Sequence, residues 1–394
     1  MKSALLATAM VAALTANAAA EEIKMGLILG FTGPIESLTP GMADGAELAW
    51  KEASDSGLLL DGSTIVSVRA DSTCIDAAAA TTAAERLITA DKVVAIMGAD
   101  CSGVTTAIAN NAAVPNGVVM VSPSATSPAL STIDDKGHFF RTAPSDARQG
   151  EVLADVVMGK GIKEVAVTYT NNDYGKGLAE SFAGAYEKVG GKISISAAHE
   201  DGKADYSAEV AALDAAGGDA LVVLGYLDQG GKGIIQGAID AGSYEQFVLA
   251  DGMIGQSLID AIGEDLEGTI GTLPGSESDN ATNFLAYASS AGVDADGPFR
   301  PESYDAGALL ALAMQAAGST DRAAVQAAMI DVANAPGVQI HAGQLDYGLF
   351  LLKNGVGIDY VGATNVEFLE NGDIPGSYKE LVVQGGKFET VTVR

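Results

Sequence analysis

The chain has 394 residues, of which 48% are hydrophobic and 19% are charged, so it can bury more than one core, and its length favours two domains. Its formal net charge of −29 excludes nucleic acid and an anionic membrane surface as expected partners, because both repel an acidic protein. The 3 histidines lie far apart without the spacing of metal ligands, so no metal site is predicted.

The first 20 residues predict a secretory signal peptide that is not part of the fold. Lys2 precedes an apolar stretch rich in Ala, Leu and Val, and Ala18-Ala19-Ala20 supplies a cleavage site of the A-x-A type. No later segment offers the roughly 18 consecutive apolar residues that cross a bilayer. We therefore expect an exported protein without a membrane span, located in the periplasm of a bacterium.

Strand and helix patterns alternate through the first part of the mature chain. The strands are short apolar runs, and the helices carry apolar residues at helical spacing. In order, the pattern predicts a strand at 23–29, a helix at 41–56, a strand at 64–70, a helix at 76–90, a strand at 93–97, a helix at 104–113 and a strand at 118–121. This alternation predicts a doubly wound parallel sheet.

Two of these strands end in turns that are rich in hydroxyl groups. The strand at 93–97 is followed by Gly-Ala-Asp-Cys-Ser-Gly, and the strand at 118–121 by Ser-Pro-Ser-Ala-Thr-Ser-Pro. In open α/β sheets, ligands bind beyond the carboxyl ends of the strands, where helix N-termini offer free N–H groups to anions. Ser102, Ser124 and Thr126 therefore form a candidate cradle for an anion, with ordinary strand-to-helix turns as the alternative.

The same alternation restarts after a polar crossing segment at 139–146. It predicts helices at 147–160, 178–189, 207–216 and 233–241 and strands at 164–170, 192–197, 220–224 and 247–250. The turns after these strands carry Tyr174, Tyr226 and Asp251 in place of Ser and Thr. A second crossing at 268–275 leads to helices at 281–291, 301–317 and 321–333, and a third at 365–373 leads to a hairpin of 378–383 and 387–393.

Three crossings between two α/β units predict a hinged clamshell. The fold class is α/β, with two doubly wound, Rossmann-like lobes joined by a three-segment hinge. The predicted boundaries place residues 21–142 and 273–368 in lobe 1 and residues 143–272 and 369–394 in lobe 2. The two sets of turns then face each other across the cleft between the lobes.

Cys74 and Cys101 both follow predicted strands at the same edge of one sheet. An even number of cysteines in an exported protein favours a disulfide over two buried free thiols. No G-x-G-x-x-G follows the first strand, and the chain contains neither G-x-x-x-x-G-K-[ST] nor G-x-S-x-G. A nucleotide-dependent enzyme and a hydrolase are therefore disfavoured, and no catalytic residue is predicted.

Several short motifs occur in order along essentially the whole mature chain. They are Gly33-Pro34, Cys74 with Cys101-Ser102, Ser122–Pro128, Arg141-Thr142, Asp173–Gly177, Gly225-Tyr226, Tyr304–Ala306 and Asn371–Asp373. As an ordered set they resemble the periplasmic solute-binding proteins of ABC importers, in the leucine/isoleucine/valine-binding branch of the type I clamshells. The resemblance implies a binding protein without a cofactor that is not an enzyme and that delivers its ligand to a membrane permease.

The resemblance also implies how the two ends of an amino acid are held. The hydroxyl of Ser102 would bind the α-carboxylate of the ligand. Ser124 would offer a backbone carbonyl to the ammonium group, and the hydroxyl of Thr126 would serve the ammonium or the carboxylate. Asp251 would pair with the ammonium, at a position where the family usually has the longer Glu.

Other residues would surround the rest of the ligand. By the same resemblance, Tyr174 and Tyr226 would form aromatic walls, and Phe299 falls at the position of the side-chain pocket. Leu38 stands where branched-chain binders have an aromatic residue, and Glu36, two positions earlier, could add a polar contact to the ligand. The departure at Leu38 leaves the identity of the ligand open.

The implied function is the capture of an amino acid, branched-chain or related, between two lobes and its delivery to the permease. We expect a monomer. One alternative is a protein of the same fold that binds a small amide, a urea-like molecule or an organic acid. A second alternative is a ligand sensor that feeds a receptor and not a transporter.

Overall fold

The structure is a computed structural model that describes residues 20–394. Residues 1–19 lie outside the described part, and the predicted signal peptide falls there except for Ala20. Within residues 20–394, no helix is both long enough and apolar enough to cross a membrane. The described chain forms two lobes, each built on one large sheet.

Lobe 1 contains a sheet of parallel strands. They are β1 (Glu22–Leu29), β2 (Thr64–Asp71), β3 (Ile96–Gly98), β4 (Met120–Ser122) and β5 (Phe139–Arg141), in the order β2-β1-β3-β4-β5. β3 and β4 begin two to three residues later than the predicted strands, since the buried residues Val93 and Val118 precede the segments that pair with each other. The hydroxyl-rich turns follow β3 and β4 directly, so both lie at one edge of this sheet.

Helices cover both sheets. They are α1 (Thr39–Asp55), α2 (Ala77–Thr89), α3 (Ser102–Ile108), α4 (Asp146–Gly159), α5 (Asp173–Lys188), α6 (Ser207–Ala216), α7 (Gly230–Ala241), α8 (Gln256–Ile262), α9 (Asp279–Ser290), α10 (Arg300–Ala317), α11 (Arg322–Ala333) and α12 (Leu345–Lys353). α1 packs closely on α10, since a Cβ at Gly45 would lie 2.6 Å from the Arg300 carbonyl oxygen. Trp50 reinforces this contact by donating from Nε1 to the Gly307 carbonyl at 3.1 Å.

Lobe 2 contains the larger sheet. Its strands are β6 (Glu164–Thr170), β7 (Lys192–His199), β8 (Ala220–Leu224), β9 (Phe247–Leu249) and β10 (Ile270–Pro274), followed after β11 (Val338–His341) and β12 (Ile358–Gly362) by β13 (Tyr378–Gln384) and β14 (Lys387–Val393). The order is β14-β13-β10-β9-β8-β6-β7, and β13 and β14 run antiparallel to their neighbours. β11 and β12 form a separate parallel pair.

The segment predicted as the second crossing differs in the structure. Most of residues 268–275 is β10, which pairs with β9 and β13 in the sheet of lobe 2, so the chain leaves that lobe only after Pro274. Glycine and proline in a short run are typical of a loop, but Gly271 here packs its backbone against Leu249 at the centre of the sheet. β5, α8, β11, α12 and β12 were not predicted, because such short elements carry little periodicity, and β5 falls in the segment predicted as the first crossing.

Candidate functional site

The carboxyl edges of the two sheets enclose a small cavity between the lobes. Its volume is about 20 Å³, and its walls are formed by Ile35, Leu38, Asp100, Cys101, Ser102, Ser124, Tyr174, Tyr226, Asp251, Gly252 and Phe299. Seven of the eight predicted ligand-binding residues are among them, the exception being Thr126. Turns more than a hundred residues apart in sequence therefore meet at one place.

The wall of lobe 1 is tied together covalently. Cys74 and Cys101 form a disulfide, with their Cα atoms 5.2 Å apart. The carboxylate of Asp100, next to Cys101, accepts hydrogen bonds from the backbone N–H of Gly30 at 2.6 Å and from the hydroxyl of Ser72 at 3.1 Å. Burial raises the pKa of Asp100, and these hydrogen bonds offset the cost of burying it. The sequence motif contains Asp100, but nothing in it distinguishes this residue from an ordinary turn aspartate.

The two serines of this wall also have partners within lobe 1. Ser102 is the first residue of α3, and its Oγ accepts a hydrogen bond from the backbone N–H of Ser127 at 3.1 Å. Ser124 donates from Oγ to the carbonyl of Asp100 at 3.0 Å. These bonds fix both hydroxyl groups on the cavity, and the N-terminus of α3 adds the positive end of a helix beside Ser102.

The wall of lobe 2 is aromatic and acidic. The rings of Tyr174 and Tyr226 stack with their centroids 5.2 Å apart. The hydroxyl of Tyr174 donates to Oδ1 of Asp251 at 2.6 Å and accepts from the backbone N–H of Gly252 at 3.1 Å. Only glycine fits at position 252, since a Cβ there would lie 2.6 Å from the Gly225 carbonyl oxygen and 2.9 Å from the hydroxyl oxygen of Tyr174.

Asp251 has a second buried carboxyl beside it, that of Asp146. Burial raises the pKa of Asp251 to about 6, and burial together with the charge of Asp251 raises the pKa of Asp146 well above its usual range. Among the described residues, no well-aligned hydrogen bond reaches either oxygen of Asp146 or Oγ1 of Thr126, although the Thr126 hydroxyl lies close enough to Asp146 to lower its pKa slightly against the effect of burial. Sequence reasoning did not find Asp146, because an acidic residue in the first turn of a helix ordinarily stabilises the helix dipole.

Two residues that the sequence placed near the ligand are not among those that line the cavity. Thr126 is fully buried, and its carbonyl accepts from the backbone N–H of Asp146 at 2.8 Å. Glu36 is exposed, and its carboxylate accepts from the N–H of Gly33 at 3.4 Å, so the expected polar contact with the ligand is absent from the described cavity wall. Ile35 takes its place on the cavity, because adjacent residues of the turn point in different directions.

Direct hydrogen bonds connect the lobes on either side of the cavity. Asp228 of lobe 2 accepts from the N–H of Ser37 at 2.9 Å, and its own N–H donates to the carbonyl of Pro34 at 3.0 Å. On the other side, Ser127 Oγ donates to the carbonyl of Asp173 at 3.0 Å. These contacts describe a cleft with the lobes closed on each other.

No group of three or more His, Cys, Asp or Glu residues in positions 20–394 is arranged to hold a metal ion. The histidines stay apart in the structure. His199 is buried in lobe 2, where its Nδ1 lies 2.8 Å from the hydroxyl of Thr168, and burial lowers its pKa to about 4. A neutral, buried histidine of this kind packs the sheet and does not face the cavity.

Comparisons of the sequence and of the structure with known proteins point to the same family. Residues 22–341 match the family model described as periplasmic binding protein. The Leu/Ile/Val-binding protein homolog 3 of Brucella melitensis is 30% identical over 320 residues, which is 79% of this chain and 84% of that protein.

Two solved structures extend the likeness to nearly the whole chain. The leucine binding protein LivK of Thermotoga maritima has a TM-score of 0.78 at 25% identity and covers 94% of this chain and 98% of its own. The second structure is LivJ of Streptococcus pneumoniae, a branched-chain amino acid transporter substrate binding protein in complex with isoleucine. It has a TM-score of 0.76 at 25% identity, and the match covers 95% of this chain and 99% of LivJ. These similarities agree with the α/β clamshell that the sheets describe.

Proposed function

The chain belongs to the periplasmic binding protein family, and we propose that it captures an amino acid, branched-chain or related, between its lobes for an ABC importer. The relatives are named as binding proteins for leucine, isoleucine and valine, and a solved neighbour holds isoleucine. The protein would act by binding alone, as a periplasmic monomer that hands its ligand to a membrane permease.

The observation that carries this proposal is the chemical contrast across the cavity. One wall presents hydroxyl groups and a helix N-terminus at Ser102, which suit a carboxylate. The other presents Asp251, a buried carboxyl with a raised pKa, which suits an ammonium group. An amino acid carries both groups on one carbon, so its zwitterion matches both walls at once.

Ligand entry requires the lobes to part. A cavity of about 20 Å³ has room for one water molecule, whereas pockets for small ligands commonly measure about 300–1,000 Å³. The lobes are held together by the hydrogen bonds of Asp228 with Ser37 and Pro34, which a hinge motion would break and remake. The closed form, with both walls on the ligand, would be the form that the permease recognises.

A thermal-shift panel tests the proposal directly. The mature protein is heated with amino acids, and separately with leucinamide and 4-methylpentanoate, which keep the leucine side chain but lack the carboxylate or the ammonium group. An amino acid at a hundred times its dissociation constant should stabilise the protein by about 2.7 kcal/mol. If only the compounds that lack one charged group shift the melting temperature, the amino-acid assignment is wrong.

The variant Asp251→Ala makes the test specific to the site. We expect it to weaken binding of the best amino acid by well over about tenfold, because a charged hydrogen bond is worth about 1.5–3 kcal/mol. Asp214→Ala, an exposed acid of the same lobe away from the cavity, is the matched control and should leave the affinity unchanged. Equal affinities for both variants in isothermal titration calorimetry would contradict the role of Asp251.

A further inference from the structure

A much larger space adjoins the ligand cavity. An interlobe groove of about 720 Å³ is lined by residues of both lobes, among them Leu38, Phe299, Glu302 and Lys379. Leu38 and Phe299 also line the small cavity, so these two side chains separate the two spaces. A ligand side chain that passes between them would leave the cavity and enter the groove.

Phe299 is held in an unusual conformation at this partition. Its backbone has φ 59°, in the left-handed region that bulky residues rarely adopt. Its carbonyl accepts two hydrogen bonds from Ser303, one from the N–H at 2.9 Å and one from Oγ at 2.7 Å. Strained backbone of this kind is concentrated at ligand sites, where the surrounding structure maintains it. Here it keeps the ring buried between the cavity and the groove.

Glu302 lies one helical turn beyond Phe299 and faces the groove. It is only 3% exposed, and burial raises the pKa of its carboxyl to about 8. Among the described residues, its carboxylate forms no salt bridge and no hydrogen bond with another side chain, although Lys379 also lines the groove from lobe 2. Its own backbone N–H is the hydrogen-bond donor to this carboxyl and offsets only part of the cost of burial, so a further donor on a ligand would lower that cost.

We propose, resting on the function above, that the captured amino acid has a side chain that crosses the Leu38–Phe299 partition and ends in a nitrogen donor received by Glu302. The donor is an ammonium or a primary amide group. Phe299 and Glu302 are roughly 4.5 Å apart along the helix axis, so a donor that meets Glu302 has to extend past the Phe299 ring, as the long side chains of lysine and glutamine do.

Calorimetric titration of the mature protein with lysine, glutamine, norleucine and leucine tests this inference. Norleucine has the four-carbon chain of lysine without its nitrogen, so the pair isolates the terminal donor. We expect lysine or glutamine to bind at least about tenfold more tightly than norleucine, the gain typical of one hydrogen bond to a charged group. Tighter binding of lysine indicates that Glu302 is ionised. Tighter binding of glutamine indicates that its amide is shared between Glu302 and Lys379. Either result supports the inference.

Glu302→Gln should abolish this preference while norleucine binding stays the same. Glu277→Gln is the matched control, because Glu277 lines the same groove but is exposed, and it should change neither affinity. Wild-type protein that binds norleucine or leucine as tightly as lysine and glutamine overturns the inference and leaves the proposed function standing. Absence of binding by every amino acid would overturn the proposed function itself.

Discussion

The two walls of the cavity differ in how completely their polar groups are paired. In lobe 1, Asp100, Ser102 and Ser124 all have hydrogen-bond partners within the lobe, and a disulfide closes the wall. In lobe 2, Asp251 accepts from Tyr174 but lies beside Asp146, a second buried carboxyl outside the cavity lining that receives no well-aligned hydrogen bond from the described residues. The polar groups of the first wall are therefore paired before a ligand binds. The second wall includes a buried carboxyl whose negative charge an ammonium group of the ligand would balance.

This difference assigns distinct tasks to the lobes. Hydrogen bonds within lobe 1 hold this wall in place, and Ser102, whose Oγ accepts from Ser127, keeps its O–H free to donate to the ligand carboxylate, so little has to be ordered on binding. A wall with buried acids of raised pKa gains most when an ammonium group arrives, because the cation offsets the penalty of burial. The lobes therefore contribute rigidity and electrostatic driving force separately, and each contribution can be removed by itself.

Removal of the disulfide should have the largest effect and should fall on lobe 1. Cys74 and Cys101 are separated by 27 positions, and the loop-closure model gives about 3–4 kcal/mol for a bridge of this span. We expect the double variant Cys74→Ala with Cys101→Ala to lose that much stability in urea unfolding. Wild-type protein in reducing buffer is the control and should unfold at the same urea concentration. Identical unfolding of oxidised and reduced wild type would show that the bridge adds no stability to this wall.

A smaller effect is expected from Tyr174→Phe in lobe 2. The change keeps the stacked ring but removes the hydroxyl that donates to Asp251 and accepts from Gly252. Amino-acid affinity should fall about 10- to 100-fold, since the lost bond is to a charged group. Tyr226→Phe is the control, because the Tyr226 hydroxyl accepts only a long bond of 3.4 Å from Asn172, and it should cost less than about threefold. A loss no larger for Tyr174→Phe than for Tyr226→Phe in calorimetry would contradict a role for the hydrogen bond between Tyr174 and Asp251.

The smallest effect concerns pH. Because burial raises the pKa of Asp251 to about 6, only about a tenth of this carboxyl is ionised at pH 5, and affinity for an amino acid should be about tenfold lower there than at pH 7. Asp146 and Tyr174 face the same group, and neither gains positive charge in this range. Asp251→Asn should remove most of the dependence in titrations at the two pH values.

Stability without ligand should change in the opposite sense. A carboxyl whose pKa is higher in the folded than in the unfolded state contributes stability below its unfolded pKa and loses it as the pH rises through the folded pKa. For Asp251 this loss runs from its ordinary pKa of 3.8 up to about pH 6 and is nearly complete above pH 6. Urea denaturation of the wild type and of Asp251→Asn at pH 5 and pH 7 measures this contribution to the free energy of unfolding. A contribution that increases with pH would contradict a raised pKa of Asp251.

Much of the site was predictable because it follows chain order. The turns after successive strands of a parallel sheet always meet at one edge, so Ser102 and Ser124 could be placed together from the strand pattern alone. Tyr174, Tyr226 and Asp251 were found in the same way, with the family resemblance giving them roles. Their roles remain predictions, and the structure adds that they share one cavity.

The residues that sequence reasoning missed depend on contacts between distant segments. Asp146 and Glu302 each sit in the first turn of a helix, where an acid ordinarily stabilises the helix dipole at the surface. Packing of the opposite lobe or of neighbouring strands turns both into buried groups, which local pattern does not reveal. Thr126 does not line the cavity, and its predicted contact with the ligand stays a prediction.

By itself, the sequence determined the α/β class, the pair of cysteines and the order of the turns, because periodicity and spacing are properties of the chain. The tertiary structure alone decided which turn residues face the cavity, which carboxyls lose their water and where Phe299 divides the cavity from the groove. Burial and pairing depend on what the other lobe brings to each side chain, and that information is spread over hundreds of residues.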